Sequence, residues 1–525
     1  MASGGTLLLL ASICMFVAGL LKYGERIWAL KCGNISSISS SFQKQAHLVM
    51  NSGDVLRKRT SEEEILLLAH YEFIVCKSVF IDSKLLWHVR HDLERGANTG
   101  YLEECIYRLV EMELSLMYDI LYTKAAVIHT WYGFCIHIIS LLGTATAFLL
   151  FLLSGRRGGY SRADVIISYV LLVGALVLDA ISLCRALLSS WTCSFLYRRE
   201  SKWLLHVVTS LRHRVLQPAR RRLWPGSLGQ YNLFHLCTRD KDELGSRLAM
   251  KMGLRDWWNK LHLGTFSSTN SFSTRDLKES VLQALGDIAV GTNFNSRGSF
   301  TLQKRGVYKG LAHWSVNIDF DDSIIVWHIA TNLYIHISKA EHQEKLLEAT
   351  KVLSNYMMFL LLVKPDMLPG RTRQDMYIEI CNNLDLYDGS LGEEDTPSPR
   401  SWNPCRLLKE LFHHEGPHDS RIQRRDELSQ RLYKRYNDTR DSAKPDSSRK
   451  ADVEHGALLG IELLNTKLPA GRDTLELILG VWVEMMLYAA EHCSRDSHAR
   501  QLSNGGEFIT IVWIVAHHFL YYFKN

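Results

Sequence analysis

Ala125-Ala-Val-Ile-His-Thr-Trp-Tyr-Gly-Phe-Cys-Ile-His-Ile-Ile-Ser-Leu-Leu-Gly-Thr-Ala-Thr-Ala-Phe-Leu-Leu-Phe-Leu-Leu153 runs without a single Asp, Glu, Lys or Arg. A helix of this length and composition crosses the hydrocarbon layer of a bilayer even when tilted. The Trp131-Tyr132 pair near its start suits an interfacial aromatic belt. Two further apolar runs flank it, Thr6–Leu21 and Val165–Leu188. The first has no basic residue ahead of it and no small-x-small cleavage site after it, so it reads as a retained helix rather than a signal peptide. The third contains Asp179 within it and Arg185 near its end. An acid inside a span is costly and a functional candidate by default, although here it reads as facing neighbouring helices or a headgroup layer.

Spans near residues 6–21, 125–153 and 165–188 make residues 1–200 a membrane region. The segment 32–124 between the first two is too charged to span and contains acidic helical stretches, Ser61–Tyr71 and Tyr101–Leu121. The positive residues set the orientation. Lys22, Arg26 and Lys31 follow the first span, and Arg198, Arg199, Lys202, Arg212, Arg214, Arg220, Arg221 and Arg222 follow the third. Both groups belong in the cytosol, against the smaller group Arg156, Arg157 and Arg162 in the opposite loop. The basic segment 198–222 is expected to meet anionic lipid headgroups. Nucleic acid is not expected as a partner, because no nucleic-acid-binding motif accompanies the charge.

The 525 residues have a net charge of only +6, and 47% are hydrophobic. That average hides segregation, since the long apolar runs lie in the first 190 residues. Eleven cysteines are scattered without a C-x-x-C pair or zinc spacing, which favours a reduced, cytosol-facing protein. Asn34-Ile-Ser36 and Asn437-Asp-Thr439 match the glycosylation triplet and would matter only on a lumenal segment.

From residue 201 the pattern is mostly helical: a soluble region 201–390, a charged flexible insertion 391–455 and a C-terminal helical hairpin 456–525. Asp240–Leu261 has helical spacing. Gly264–Thr274 reads as a break, and Ser273-Thr-Arg-Asp276 as a capping box opening a helix to Leu285. Trp314, Val316, Ile318 and Phe320 alternate, which predicts a short strand. Asp321-Asp322 then offer N-caps for a helix to about Ile337. Ser354–Leu362 is apolar but too short to span, and reads as core. The fold class is therefore mainly α: a polytopic membrane region followed by a mostly helical soluble domain with at most a short strand or two.

Candidate chemistry is sparse. His328, Asn332 and His336 form a polar stripe at i, i+4 and i+8. The central amide is a poor zinc ligand, so the stripe reads as an interhelical hydrogen-bonding face rather than a metal site. His129 and His137 lie about 12 Å apart along one helix, too far to share a metal, and no second span offers a haem ligand. Glu484, Glu491 and His492 share a face of the penultimate helix, with His498 about a turn beyond. Together with Glu507 they could do acid–base work if a cleft enclosed them, or serve as buried charges answered by Arg495 or Arg500. Between two apolar segments, Leu475–Ala490 and Phe508–Phe523, lies Asp496-Ser-His-Ala-Arg-Gln-Leu-Ser-Asn-Gly-Gly-Glu-Phe508. It reads as a fixed polar turn in which the glycines supply positive φ and Glu507 sits in the first turn of the last helix. His498, Arg500 and Gln501 are left without a structural role. No nucleophile elbow, P-loop, kinase set or H-E-x-x-H occurs, and no heptad seam is evident. No cofactor, metal or catalytic residue is assigned.

Several ordered segments resemble a plant membrane family known as domain of unknown function 4220, with its companion C-terminal domain of unknown function 594. They are Phe16-Val-Ala-Gly-Leu-Leu-Lys-Tyr-Gly-Glu-Arg-Ile-Trp28, Met112-Glu-Leu-Ser-Leu-Met-Tyr-Asp-Ile-Leu-Tyr122, Trp327-His-Ile-Ala-Thr-Asn332, Ser354-Asn-Tyr-Met-Met358 with Pro365–Pro369, and the Asp496–Phe508 block. The resemblance implies location and architecture, with no catalytic residues. The chain departs from it at Asn332, where an acid is common, and at its start, where relatives carry further membrane helices. The expectation is an integral, multi-pass membrane protein with a cytosolic C-terminal domain, acting as an interaction or signalling component in plants. The alternative is a membrane enzyme or transporter using Glu484, His492, His498 and Glu507.

Overall fold

The computed structural model describes residues 4–34, 38, 62–81, 99–154, 162–198, 201–215, 226–234, 264–266, 274–292, 294–338, 343–370, 418–437, 451–466, 468 and 473–523. The chain divides into two compact units, residues 1–225 with 499–506, and residues 226–498 with 507–525.

In the first unit the helices are α1 (Gly4–Cys32), α2 (Glu62–Ile81), α3 (Thr99–Tyr122), α4 (Ala125–Ile128), α5 (Trp131–Ser154), α6 (Arg162–Leu187), α7 (Ser190–Arg198) and α8 (Lys202–Val215). Helix α1 runs on past the expected end at Leu21, through Lys22 and Glu25. The long span expected at 125–153 is interrupted at His129-Thr130. There the Thr130 hydroxyl accepts from Gly133 N at 3.1 Å and caps α5. A Cβ on Gly133 would sit 2.0 Å from the Val127 carbonyl oxygen, so only glycine permits this close turn.

Helices α1, α5 and α6 are turned inside out relative to a soluble bundle. Leu9, Ile13, Phe16 and Leu20 of α1, Ile139, Leu142, Leu149 and Leu153 of α5, and Ile167, Val170, Leu171 and Leu178 of α6 are exposed. The buried positions are small or polar: Ala11, Ala18, Glu25 and Ala29 on α1, and Gly133, His137, Ser140, Thr144, Ala147 and Ser154 on α5. On α5 these positions alternate steps of three and four residues, a heptad seam after all, built without large apolar side chains. Such packing belongs to helices in lipid, where close approach and interhelical polar contacts replace hydrophobic burial. Position Gly143 faces Ala18 while His137 faces Glu25, so α1 and α5 run antiparallel. Tyr169 meets Phe151 edge-on at 4.9 Å and Asp179 meets Thr144, so α6 is antiparallel to α5. Helices α2 and α3 pack on each other through Phe73, Cys76, Phe80, Ile106, Leu109 and Met117.

The second unit holds β1 (Leu228–Gln230), β2 (Gly264–Phe266), α9 (Thr274–Thr292), α10 (Ser299–Lys304), α11 (Gly310–Ser315), α12 (Phe320–Ser338), α13 (Glu344–Val363), α14 (His418–Asn437), α15 (Ala451–Asn465), α16 (Thr474–His492), α17 (Arg495–Ser503, which continues into the first unit) and α18 (Phe508–Phe523). The core gathers around α12, α13, α16 and α18, with Trp327, Trp482, Trp513, Tyr356 and Phe508 fully buried. Gly456 and Gly460 let α15 lie directly on α12: a Cβ on Gly456 would stand 2.7 Å from Ile329 Cβ.

Among the described residues four helices are long and apolar enough to cross a membrane, but burial separates them. The apolar windows of α1, α5 and α6 are 11%, 22% and 6% buried, whereas that of α13 is 67% buried. Helix α13 is a core helix, as its Ser354–Leu362 stretch suggested, extended to twenty residues.

Several expectations are corrected. Trp314–Phe320 is not a strand but the end of α11 and a turn into α12. The buried apolar positions there are Ala312, Val316 and Phe320, at helical steps of four, and Ser323 and Trp327 both hydrogen-bond to the buried Ser315. The two strands among the described residues lie elsewhere, paired antiparallel with Leu228 opposite Phe266, and β2 falls inside the expected break at 264–274. Helix α12 begins at Phe320, so Asp321 and Asp322 occupy its first turn rather than the cap. Helix α9 extends to Thr292. Within the segment 391–455, residues 418–437 form α14, with Leu428, Ser429 and Leu432 fully buried. The helix expected at 240–261, the capping residue Ser273, the loop arginines 156 and 157, and residues 199, 200 and 216–222 of the basic segment lie outside the described residues.

Candidate functional site

Asp473 opens α16 by accepting from Leu475 N at 3.0 Å. Three turns on, Glu484 is buried, and its carboxylate is wholly engaged. It accepts from Gly298 N at 2.8 Å, Phe300 N at 3.1 Å, Thr301 N at 2.9 Å and the Thr301 hydroxyl at 2.6 Å. These are the orphan donors at the start of α10, so Glu484 supplies from another helix the cap that Gly298, with no side chain, cannot.

His492 is exposed, stacks on Tyr488 at 4.1 Å and donates from Nδ1 to the Tyr488 carbonyl. His498 is buried flat against Trp513, ring centroids 4.2 Å apart. Its Nε2 lies 2.9 Å from the Ala490 carbonyl and must donate, so Nδ1, 2.9 Å from the Thr510 hydroxyl, accepts. Burial drives its pKa down to about 4, with the Ala490 hydrogen bond opposing. Glu507 pairs with Lys364 and accepts from the Tyr356 hydroxyl at 3.2 Å. That hydroxyl in turn accepts from Ile509 N, so Tyr356 rather than Glu507 answers the first turn of α18. The four residues Glu484, His492, His498 and Glu507 therefore go to four separate sets of partners.

The Asp496–Phe508 block is mostly a helix, not a bare turn. The Ser494 hydroxyl accepts from Ser497 N at 3.1 Å and starts α17. At its end Gly506 N bonds to the Gln501 carbonyl and Gly505 N to the Leu502 carbonyl, a Schellman closure, with Gly505 at φ 96° and Gly506 at φ 85°. Gln501 thus has a backbone role, and the Arg500 carbonyl accepts from Ser503. Glu491 is the residue whose importance the sequence understated. Trp513 Nε1 and His517 Nε2 both reach its Oε2 at 2.8 Å. Burial alone would raise its pKa, but these bonds, the His517 charge and Arg495 hold it below the usual carboxylate range.

The His328 stripe is an interhelical hydrogen-bonding face, as expected. Leu233 N donates to His328 Nε2 at 3.2 Å, so Nδ1 donates to the Ser354 hydroxyl at 2.9 Å. Asn332 accepts from Asn232 at 2.8 Å. Burial pushes the His328 pKa down to about 3. His336 leaves this network and meets Asp426 of α14 at 2.7 Å. Among the described residues, Asp319, Asp321 and Asp322 are the one acidic group close enough to share a cation, and they are exposed or half-exposed.

The densest chemistry lies between α1, α5 and α6. Asp179 pairs with Lys22 and accepts from Thr144 at 3.0 Å and Ser140 at 3.4 Å. One turn along α1, Glu25 Oε1 lies 3.3 Å from Lys124 Nζ and 3.4 Å from His137 Nε2. Asp179 does face neighbouring helices. Its cation comes from α1, which no spacing on α6 could reveal.

Comparison with curated proteins and with solved structures gives no match. Residues 1–237 match the family described as domain of unknown function DUF4220, and residues 469–520 match the protein of unknown function DUF594. The first match contains all three inside-out helices, and the second contains α16, α17 and most of α18. The chain is thus a membrane protein with an N-terminal region similar to DUF4220 and a C-terminal segment similar to DUF594.

Proposed function

We propose that the protein is a multi-pass membrane protein, crossing with α1, α5 and α6, whose C-terminal unit works in the cytosol as a membrane-anchored interaction or signalling component. The observation that carries this reading is the inverted bundle: lipid-facing leucines and isoleucines outside, small and polar side chains inside. Lys22, Arg26, Lys31, Lys124, Arg185, Arg198 and Lys202 fall toward one end of that bundle by chain order, which favours that end for the cytosol. The chain continues from α6 at this end. Helix α8 exposes Trp203, Leu204 and Leu211 within the basic segment, a composition suited to anionic headgroups.

The partner saturation of Glu484, His498 and Glu507 supports a scaffold over the alternative of a site at Glu484, His492, His498 and Glu507. A promiscuous biotin ligase fused to the C-terminus of the full chain tests the proposal. The expected result is a reproducible set of biotinylated cytosolic proteins. Labelling confined to lumenal proteins refutes the orientation, and labelling with no reproducible set refutes the interaction role.

A further inference from the structure

The geometry points to a proton-binding site inside the bundle, in which His137 takes up one proton beside the Glu25 carboxylate and displaces Lys124 from it. Glu25 and His137 are both buried, with side chains 1% and 7% exposed. Glu25 Oε1 and His137 Nε2 face each other at 3.4 Å, and neither makes a hydrogen bond. When the neutral ring carries its proton on Nδ1, the bare Nε2 sets a lone pair against a carboxylate oxygen. A proton there converts the contact into a charge-assisted N–H···O bond. The same oxygen is approached by Lys124 at 3.3 Å, long for a bond between full charges.

The surrounding charges make the two donors exclusive. From α1 comes Lys22, already paired with Asp179 of α6. From the turn before α5 comes His129, near His137, and from the junction before α4 comes Lys124. With His137 neutral, Lys22 and Lys124 balance Glu25 and Asp179. A proton on His137 adds one uncompensated positive charge, and the cation that can yield is Lys124, which shares Glu25 Oε1 with His137 and can reach water. The proton comes from water and returns to it, with no bond broken elsewhere. His137 lies six residues, about 9 Å, beyond Trp131 along the helix. Farther along, Asp179 is already held by Lys22, Ser140 and Thr144, and beyond it the buried positions Ala11 and Ala147 carry no titratable group.

The full chain in lipid nanodiscs, labelled at histidine 13Cε1, supplies the test by NMR from pH 4.5 to 9. Loss of one signal in His137→Gln identifies His137. The expected result is a reversible titration of that signal. Its midpoint falls by roughly 1–3 pH units in Glu25→Gln, and rises in Lys124→Met, where the competing cation is gone. Lys124→Met changes a half-exposed side chain and carries the test if Glu25→Gln fails to fold. A His137 signal that does not titrate, or a midpoint unmoved by Lys124→Met, overturns the proposal. These readouts are independent of whether the C-terminal unit has protein partners.

Discussion

Lowering the pH from 7.5 to 5 should destabilise the C-terminal unit by a predictable amount through two buried imidazoles. His498 and His328 have no exposed surface, and burial holds their pKa values at about 4 and about 3, below the ordinary 6.5. In each, one ring nitrogen donates and the other accepts, so a second proton has nowhere to go without breaking a hydrogen bond. The unfolded chain therefore binds the extra protons. Stability is complete above about pH 6.5 and is lost as the pH falls toward 4 for His498 and 3 for His328. At pH 5 the unfolded imidazole is largely protonated and the folded ones largely neutral, which costs about 2 kcal/mol per site, or about 4 kcal/mol for the two. Glu491, held below the usual carboxylate range, contributes its loss only at lower pH, whereas His455, whose pKa burial also lowers, adds to the loss in the same direction.

Urea unfolding of the full chain in mild detergent, followed by the emission of buried Trp327, Trp482 and Trp513, measures this directly. His498→Gln lowers stability at both pH values but should remove about 2 kcal/mol of the difference between them. Equal stability of the wild type at pH 7.5 and 5 refutes the reasoning. So does a His498→Gln variant that keeps the full pH dependence, because the lost proton linkage would then reside elsewhere.

Glu484→Gln turns an amide N–H₂ toward the donors at the start of α10 and should cost on the order of 2–4 kcal/mol in the same urea assay, more than Thr301→Val, which removes one donor. Gly456→Ala forces a Cβ against Ile329 and should cost about 1–3 kcal/mol in urea midpoint. At Gly505 a Cβ meets nothing but φ is 96°, so Gly505→Ala costs about 1–2 kcal/mol through the backbone alone. In the bundle, Lys22→Met strands Asp179 on Ser140 and Thr144 and should lower thermal stability in detergent by on the order of 3 kcal/mol, with Lys22→Met/Asp179→Leu recovering most of it.

The helical class was legible because apolar runs and polar intervals have helical lengths, while burial rather than composition separates α13 from α1, α5 and α6. Two features were not legible, for one reason. A heptad seam is usually read from large apolar residues, and here the seam of α5 is Gly133, His137, Ser140, Thr144 and Ala147, while the leucines face outward. The end of α1 was placed at Leu21 because Lys22 and Glu25 look like the start of an aqueous segment. Their partners, Asp179, Lys124 and His137, are about a hundred residues or more away in sequence and make those charges compatible with a continuing helix. The short alternation Trp314–Phe320 failed differently. Four residues fit a period of two as well as turns spaced by four, and only burial decides.

The candidate site divides along the same line. Residue types were readable, since Glu484, Glu491, His498 and Glu507 all prove to be hydrogen-bonded and to shape the closing helices. Their roles were not, because those depend on which donors arrive. Glu484 meets backbone N–H groups from a segment 183 to 186 residues earlier, and Glu507 meets Tyr356 and Lys364 of α13 and the residue after it. Each of these carboxylates is met by fixed donors that hold it in place. The contrast with Glu25 is physical rather than statistical. Its nearest donors stand at 3.3 and 3.4 Å, both address one oxygen, and one of them can leave for water. A carboxylate whose donors are all fixed shapes a fold, whereas one with two exclusive donors has two states. That difference makes the bundle, rather than the closing helices, the place to look for a response.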